Sequence, residues 1–101
     1  MRSISVYDLK PLLDPGAVQV VDVREPSEYA EGHVPGAASI PLATVPLRMA
    51  EIDRDRPVHL ICAAGGRSAQ AAQYLNEHGF DTLNVEGGTN GWIEARFPVE
   101  R

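Results

Sequence analysis

The sequence has a single cysteine, few aromatic residues and no long apolar run among its 101 residues. One cysteine excludes an internal disulfide, and an unpaired thiol is stable in a reducing compartment. No stretch approaches the roughly 18 apolar residues that a membrane span needs, and the opening residues show no pattern of a secretory leader. We therefore expect a soluble, cytoplasmic protein that does not bind a membrane, and Cys62 needs an explanation of its own.

Positive charge is also scarce, because nine Lys and Arg face fourteen Asp and Glu and leave a net charge of −5. That sign opposes binding to a phosphate backbone, so a nucleic acid partner is not expected. The 44% hydrophobic fraction suits one compact unit. Since neither an internal repeat nor a linker is visible, we predict a single domain over residues 1–101.

Short apolar runs alternate with segments of helical spacing along the whole chain. The predicted strands are residues 2–4, 18–23, 38–40, 57–62 and 80–85. The predicted helices are residues 6–13, 26–31, 45–52, 68–78 and 89–95, the first of them kinked or broken at Pro11. Parallel strands need a crossover helix between them, so this order predicts an α/β fold with a mostly parallel sheet covered on both faces. Ligands of such sheets bind at the carboxyl ends of the strands.

Cys62 ends an apolar strand at that edge and is followed by Ala63, Ala64, Gly65 and Gly66. Small residues and two glycines allow a loop to curl so that successive N–H groups point at one spot, which favours an anion and would lower the pKa of the thiol. The alternative is a small buried hydrophobic residue that merely ends the strand.

Arg67 stands at the start of the next helix, where a cation opposes the helix dipole unless an anion is bound. This placement predicts a negative group in the loop, and the alternative is a solvated side chain turned away from it. Ser68 is interpreted as a helix cap.

At these residues the sequence resembles the rhodanese sulfurtransferases. The run Cys62–Ser68 resembles that family's active-site loop, and other segments match its remaining signatures in the right order. These are Asp22–Glu25 with Glu28–Tyr29, Gly32–Ala37, and Gly87–Gly88 with Gly91–Trp92.

The resemblance implies the three-layer α/β/α sandwich of that family around a five-stranded sheet. It implies that Cys62 is a nucleophile that takes sulfur from thiosulfate or a related small anionic donor and holds it as a persulfide. The donor would be bound by the loop and the start of the next helix, namely Ala63, Ala64, Gly65, Gly66, Arg67 and Ser68. A thiol, cyanide or a sulfur-acceptor protein would then accept the sulfur. Asp22 and Arg24 match a family pair, interpreted as structural support, with substrate contact as the alternative.

Neither a cofactor nor a metal is expected, because the three histidines are far apart in sequence and one cysteine cannot supply a zinc-type cluster. His33 belongs to a structural turn of the family, and Trp92 is assigned to the core.

Two other classes remain open. Cysteine-dependent phosphatases and arsenate reductases share this fold, but their motif places His before the cysteine and five residues between the cysteine and the arginine. Here Ile61 precedes Cys62 and four residues separate it from Arg67. A binding module without activity is the second alternative, and the presence of the cysteine argues against it.

Overall fold

A computed structural model describes residues 2–13 and 18–101. The strands are β1 (Arg2–Ile4), β2 (Gln19–Asp22), β3 (Ala38–Ser39), β4 (Val58–Ile61) and β5 (Thr82–Val85). The α-helices are α1 (Val6–Leu9), α2 (Pro26–Glu31), α3 (Val45–Arg48), α4 (Gly66–Glu77) and α5 (Gly88–Glu94). Turns of 3₁₀ helix are Lys10–Leu13, Leu42–Thr44 and Met49–Glu51. None of the helices in these two ranges is long and apolar enough to cross a membrane.

The five strands form one sheet in the order β1-β5-β4-β2-β3, and every pairing is parallel. β4 lies at the centre, where Ile61 pairs with Asp22 of β2 and Leu60 pairs with Asn84 of β5. The predicted α/β sandwich around a five-stranded parallel sheet is therefore confirmed. Its topology puts the residue that follows β4 in the middle of the carboxyl edge.

Two apolar cores cover the two faces of the sheet. Leu60 packs with Leu75 of α4 in one core, whereas Ile61 packs with Trp92 of α5 in the other. Successive side chains of a strand point to opposite faces, so a strand buried on both sides must be apolar at every position or nearly so. All four residues of β4 are buried, and Trp92 lies fully in the core as predicted.

Three helices have a boundary that differs from the predicted one by two residues or more. The helix predicted over residues 6–13 is α-helical only to Leu9 and continues as a 3₁₀ turn, because Pro11 has no N–H for the α-helical hydrogen bond. The helix predicted over residues 45–52 changes to a 3₁₀ turn after Arg48. α4 begins at Gly66 rather than at Ser68, since its N-cap is Gly65 in the left-handed region at φ 116°.

A buried ion pair closes the end of β2. Asp22 is fully buried and Arg24 is 6% exposed. Arg24 Nη2 donates to Asp22 Oδ2 at 2.8 Å, and Arg24 Nε donates to Asp22 Oδ1 at 3.0 Å. Arg24 Nη2 also donates to the carbonyl of Gly32 at 2.9 Å, immediately after α2. The pair therefore fixes the end of α2 against the end of β2.

Replacing Asp22 should destabilise the protein strongly. Asp22→Asn leaves the guanidinium of Arg24 buried without a counter-charge, and breaking such a pair costs about 3–5 kcal/mol. Urea denaturation at pH 7 measures this loss. The control is Glu51→Gln, which removes an exposed partner of Arg48 and should leave stability nearly unchanged. Equal losses in the two variants would contradict the structural role of the buried pair.

Candidate active site

The sulfur of Cys62 lies directly after β4 at the centre of the carboxyl edge. Cys62 is 1% exposed, and the chain turns around its Sγ through residues 63–65 into α4. The backbone N–H of Gly65 donates to Sγ at 3.1 Å, and the hydroxyl of Ser68 lies 3.2 Å from it. The structure thus brings the loop and the start of α4 around one sulfur atom.

Opposing effects act on the acidity of this thiol. Burial alone would raise the pKa of Cys62. Hydrogen bonds from the Ser68 hydroxyl and from the backbone N–H groups of Ser68, Gly65 and Ala64 stabilise the thiolate, and together they hold the pKa below its ordinary value. A thiolate is the nucleophilic form of cysteine, so this environment suits nucleophilic attack.

Ser68 does not cap the helix, and the prediction that it does is wrong. It is the third residue of α4, it is fully buried, and Gly65 occupies the N-cap instead. Its Oγ lies 2.6 Å from Oδ1 of Asn84 as well as 3.2 Å from Sγ of Cys62. Since a hydroxyl has one proton, Ser68 donates to only one of these two acceptors at a time.

Asn84 was not identified from the sequence. It stands on β5 beside β4, and its Nδ2 donates to the carbonyl of Gly65 at 3.3 Å. The side chain therefore holds both Ser68 and the loop. The available signal was an amide within the apolar strand 80–85, next to the strand that ends at the cysteine.

The start of α5 holds the other side of the loop. The N–H of Thr89 donates to the carbonyl of Cys62 at 2.8 Å, and the N–H of Asn90 donates to the carbonyl of Ala63 at 3.0 Å. In a trans peptide the C=O and the following N–H point in opposite directions. A carbonyl of Ala63 drawn towards α5 therefore turns the N–H of Ala64 away from α5 and towards the sulfur.

Gly88 permits this close approach. Its φ is 58°, and a Cβ built on it would lie 2.4 Å from the carbonyl oxygen of Cys62. Any larger residue would push the loop away from α5. The sequence places Gly88 in a family motif but gives no indication of this contact.

Arg67 forms an ion pair with Glu28 of α2. Nη1 donates to Oε1 at 2.7 Å and Nη2 donates to Oε2 at 3.0 Å, while the two side chains are 36% and 33% exposed. Glu28 Oε1 also accepts from the N–H of Glu25 at 3.0 Å in a capping box. The hydrogen bonds from Arg67 and Glu25 lower the pKa of Glu28 to about 2. The group that neutralises Arg67 is thus a side chain of α2 and not part of the loop, and an anion bound in the loop stays a prediction.

A pocket of about 400 Å³ opens beside the loop, between α2 and α5. Its wall consists of Arg24, Glu28, Glu31, Gly32, Ala63, Thr89, Asn90 and Ile93. Asp22 and Arg24 are predicted to support the site. Arg24 lines this pocket, and its guanidinium is already bound to Asp22. Two wall residues, Glu28 and Glu31, carry carboxylates. Arg24 is the one cation among the wall residues, and it is already paired.

The histidines are bound to the backbone at three separate places. The Nδ1 atoms of His33, His59 and His78 lie 2.8–3.1 Å from the carbonyl oxygens of Tyr29, Gln19 and Tyr74, respectively. No group of three His, Cys, Asp or Glu side chains that could hold a metal ion is found in residues 2–13 and 18–101.

The acidity of Cys62 should depend on Ser68. The pH profile of alkylation by iodoacetamide should have a midpoint below the value of about 8.5 that is usual for a free thiol. Ser68→Ala removes one donor to the thiolate and should move the midpoint to higher pH. The control Ser3→Ala, on the exposed edge strand, should not move it. A midpoint that is the same in all three proteins would contradict the proposed hydrogen bond.

Comparison with known proteins agrees with this geometry. A family model described as the rhodanese-like domain matches residues 5–95. A sulfurtransferase of Allochromatium vinosum is 40% identical over 89 residues, which cover 87% of this chain and 83% of that protein. A thiosulfate sulfurtransferase GlpE of Pseudoalteromonas translucida is 36% identical over 95 residues, covering 93% and 90% of the two chains. The crystal structure of a rhodanese-related protein from Thermoplasma volcanium superposes with a TM-score of 0.92 at 37% identity and covers 99% of this chain and 98% of that one. The resemblance seen in the sequence is confirmed, and this chain belongs to the rhodanese-like domain family.

Proposed function

We propose that this protein is a sulfurtransferase that moves a sulfane sulfur from thiosulfate, or a related donor, to a thiophilic acceptor through a persulfide on Cys62. The observation that carries this proposal is the position of Sγ, buried at the end of β4 within reach of Gly65 N–H and the Ser68 hydroxyl. Names of similar proteins agree, since one is a sulfurtransferase and another a thiosulfate sulfurtransferase.

The first half of the reaction forms the persulfide. The Cys62 thiolate attacks the outer sulfur of thiosulfate, a new S–S bond forms at Sγ, and the S–S bond of the donor breaks. Sulfite leaves with the electron pair of that bond. The N–H groups and the hydroxyl around Sγ stabilise the thiolate before the attack and the persulfide anion after it.

The second half returns the enzyme to its starting state. An acceptor such as cyanide or a thiol attacks the outer sulfur of the persulfide and forms a bond to it. The S–S bond then breaks, and its electron pair returns to Sγ as the thiolate. Both halves balance without a metal or an organic cofactor.

The acceptor in this proposal is a thiol, cyanide or a sulfur-carrier protein. The protein acts as one domain over residues 1–101 in the reducing cytoplasm, where a single thiol remains unpaired. Asp22 and Arg24 support the site, and Arg67 with the loop residues binds the donor.

Loop length supports sulfur rather than phosphate chemistry. Only four residues separate Cys62 from Arg67, and a tetrahedral oxyanion held by all its oxygens needs a wider ring of donors than a single sulfur atom does. A phosphatase or arsenate reductase activity is therefore an outcome of the test and not a second proposal.

Replacing Cys62 should abolish sulfur transfer. Purified protein mixed with thiosulfate and cyanide should release thiocyanate, and Cys62→Ser should release none, because an alcohol cannot carry the sulfane sulfur. Mass spectrometry after thiosulfate treatment should show the wild-type protein, but not the variant, heavier by one sulfur atom. An unmodified yet active protein would overturn the proposal, as would hydrolysis of an aryl phosphate faster than formation of thiocyanate.

Replacing Arg67 should act mainly on the thiosulfate step. Losing one charged hydrogen bond to an anion costs about 1.5–3 kcal/mol, so Arg67→Ala should lower kcat/KM for thiosulfate by about one to two orders of magnitude, mostly through KM. Removal of sulfur from the preformed persulfide by cyanide should change less. Single-turnover measurements separate the two steps, with Arg48→Ala on α3 as the control. Equal losses in both steps would assign Arg67 to the persulfide or to the shape of the loop.

A further inference from the structure

We propose that Glu28 determines donor specificity, because its carboxylate occupies Arg67 and an anionic donor must displace it. The inference rests on the proposed function only for the identity of the reaction. The carboxylate of Glu28 and an anionic donor compete for the guanidinium of Arg67, and this competition can be measured without sulfur transfer.

The contact between Glu28 and Arg67 uses the binding geometry that an oxyanion would need. Two roughly parallel N–H to O bonds, of 2.7 and 3.0 Å, join Nη1 and Nη2 to the two carboxylate oxygens. A guanidinium binds sulfur and phosphorus oxyanions through the same fork. A sulfonate group therefore cannot take these two donors while Glu28 holds them.

Glu28 is fixed in this position from its own side. Its Oε1 accepts from the N–H of Glu25 at the first turn of α2, and the pKa of about 2 keeps the carboxylate ionised at neutral pH. The end of α2 is in turn joined to β2 by the bond from Arg24 to Gly32. The competing carboxylate is thus held next to the loop by the fold.

Two arginines at this end of the sheet are paired, and the residues that line the pocket include no other cation. Arg101, whose Nε donates to the carbonyl of Glu31 at 2.9 Å, lies outside that lining. Arg24 is neutralised by Asp22, Arg67 is neutralised by Glu28, and Glu31 adds a further carboxylate to the wall. A dianion meets more repulsion from these carboxylates than a monoanion does. The site therefore favours sulfur donors of lower negative charge over thiosulfate, and Glu28 is the residue that sets this preference.

The first experiment measures anion binding alone. Sulfate, an unreactive dianion, should slow the alkylation of Cys62 by the neutral reagent iodoacetamide, at constant ionic strength. In Glu28→Gln the sulfate concentration for half-protection should fall by about two- to fivefold, the range expected when a partly exposed ion pair no longer competes. Gln preserves the capping box at this position, so the helix start is retained.

Glu31→Gln is the matched control. Glu31 belongs to the same helix and lines the same pocket, but within the described residues its carboxylate forms no ion pair with Arg67. The control should shift half-protection by less than half as much. An equal shift in both variants would overturn the inference in favour of general electrostatics, and so would an absence of protection in wild type and Glu28→Gln alike.

The second experiment compares donors of different charge. Thiosulfate is a dianion, and benzenethiosulfonate is a monoanion that loses its outer sulfur to a thiolate in the same way, with benzenesulfinate as the leaving group. Glu28→Gln should lower KM for thiosulfate by about two- to fivefold and for benzenethiosulfonate by clearly less, with kcat nearly unchanged. A similar change for both donors, or a change confined to kcat, would contradict a role in charge selection.

The two proposals can fail separately. Tighter sulfate protection in Glu28→Gln without thiocyanate from either donor would support the competition and overturn the sulfurtransferase assignment. Thiocyanate formation with identical sulfate protection in wild type and Glu28→Gln would support the sulfurtransferase assignment and overturn the competition between Glu28 and the donor.

Discussion

The contact between the start of α5 and the carbonyls of Cys62 and Ala63 is the constraint on which the site depends. It brings two backbone segments together at Gly88, where a Cβ would lie 2.4 Å from a carbonyl oxygen. The hydrogen bonds from Thr89 and Asn90 fix the direction of the peptide planes in the loop, and the N–H groups on their other side then converge on Sγ. Without that contact, two glycines and two alanines would have many conformations of similar free energy, and the sulfur would have no fixed set of donors.

The site balances burial against hydrogen bonding at one atom. β4 runs between two apolar cores and delivers Cys62 to a position that is 1% exposed, which by itself disfavours a charge on sulfur. The donors from the loop and α4 outweigh this effect, so the thiolate is stabilised in a place from which water is largely excluded. In the proposed reaction the same donors serve the persulfide, which carries its charge one atom further out. Arg67 is partly exposed and paired with Glu28, and in that reaction it would receive the charge of a donor.

The sequence predicts the parts of this protein that follow from local patterns. The apolar run before Cys62, the glycines after it and the alternation of strands and helices lead to the parallel sheet and to the loop at its edge. The partners of that loop come from distant segments, because Ser68 meets Asn84 and Arg67 meets Glu28 only after the strands have assembled. Periodicity carries no signal for such pairs. The error at Ser68 has the same origin: a serine near a helix start is typical of a cap, whereas the left-handed conformation of Gly65 starts the helix two residues before Ser68.

Asn84 competes with the sulfur of Cys62 for the hydroxyl proton of Ser68. The single proton of the Ser68 hydroxyl serves two acceptors, Oδ1 of Asn84 at 2.6 Å and Sγ of Cys62 at 3.2 Å. When the sulfur is a neutral thiol, the shorter bond to the amide oxygen is the stronger one, and when the sulfur ionises, its charge draws the proton away from Asn84. Ionisation therefore costs the amide a hydrogen bond, which limits how far the serine can acidify the thiol. The charge on the sulfur is thereby coupled to the hydrogen bonding of a side chain on the neighbouring strand. The hydrogen bond that the amide oxygen of Asn84 accepts from Ser68 therefore weakens when Cys62 ionises, although Asn84 and Cys62 are linked only through Ser68.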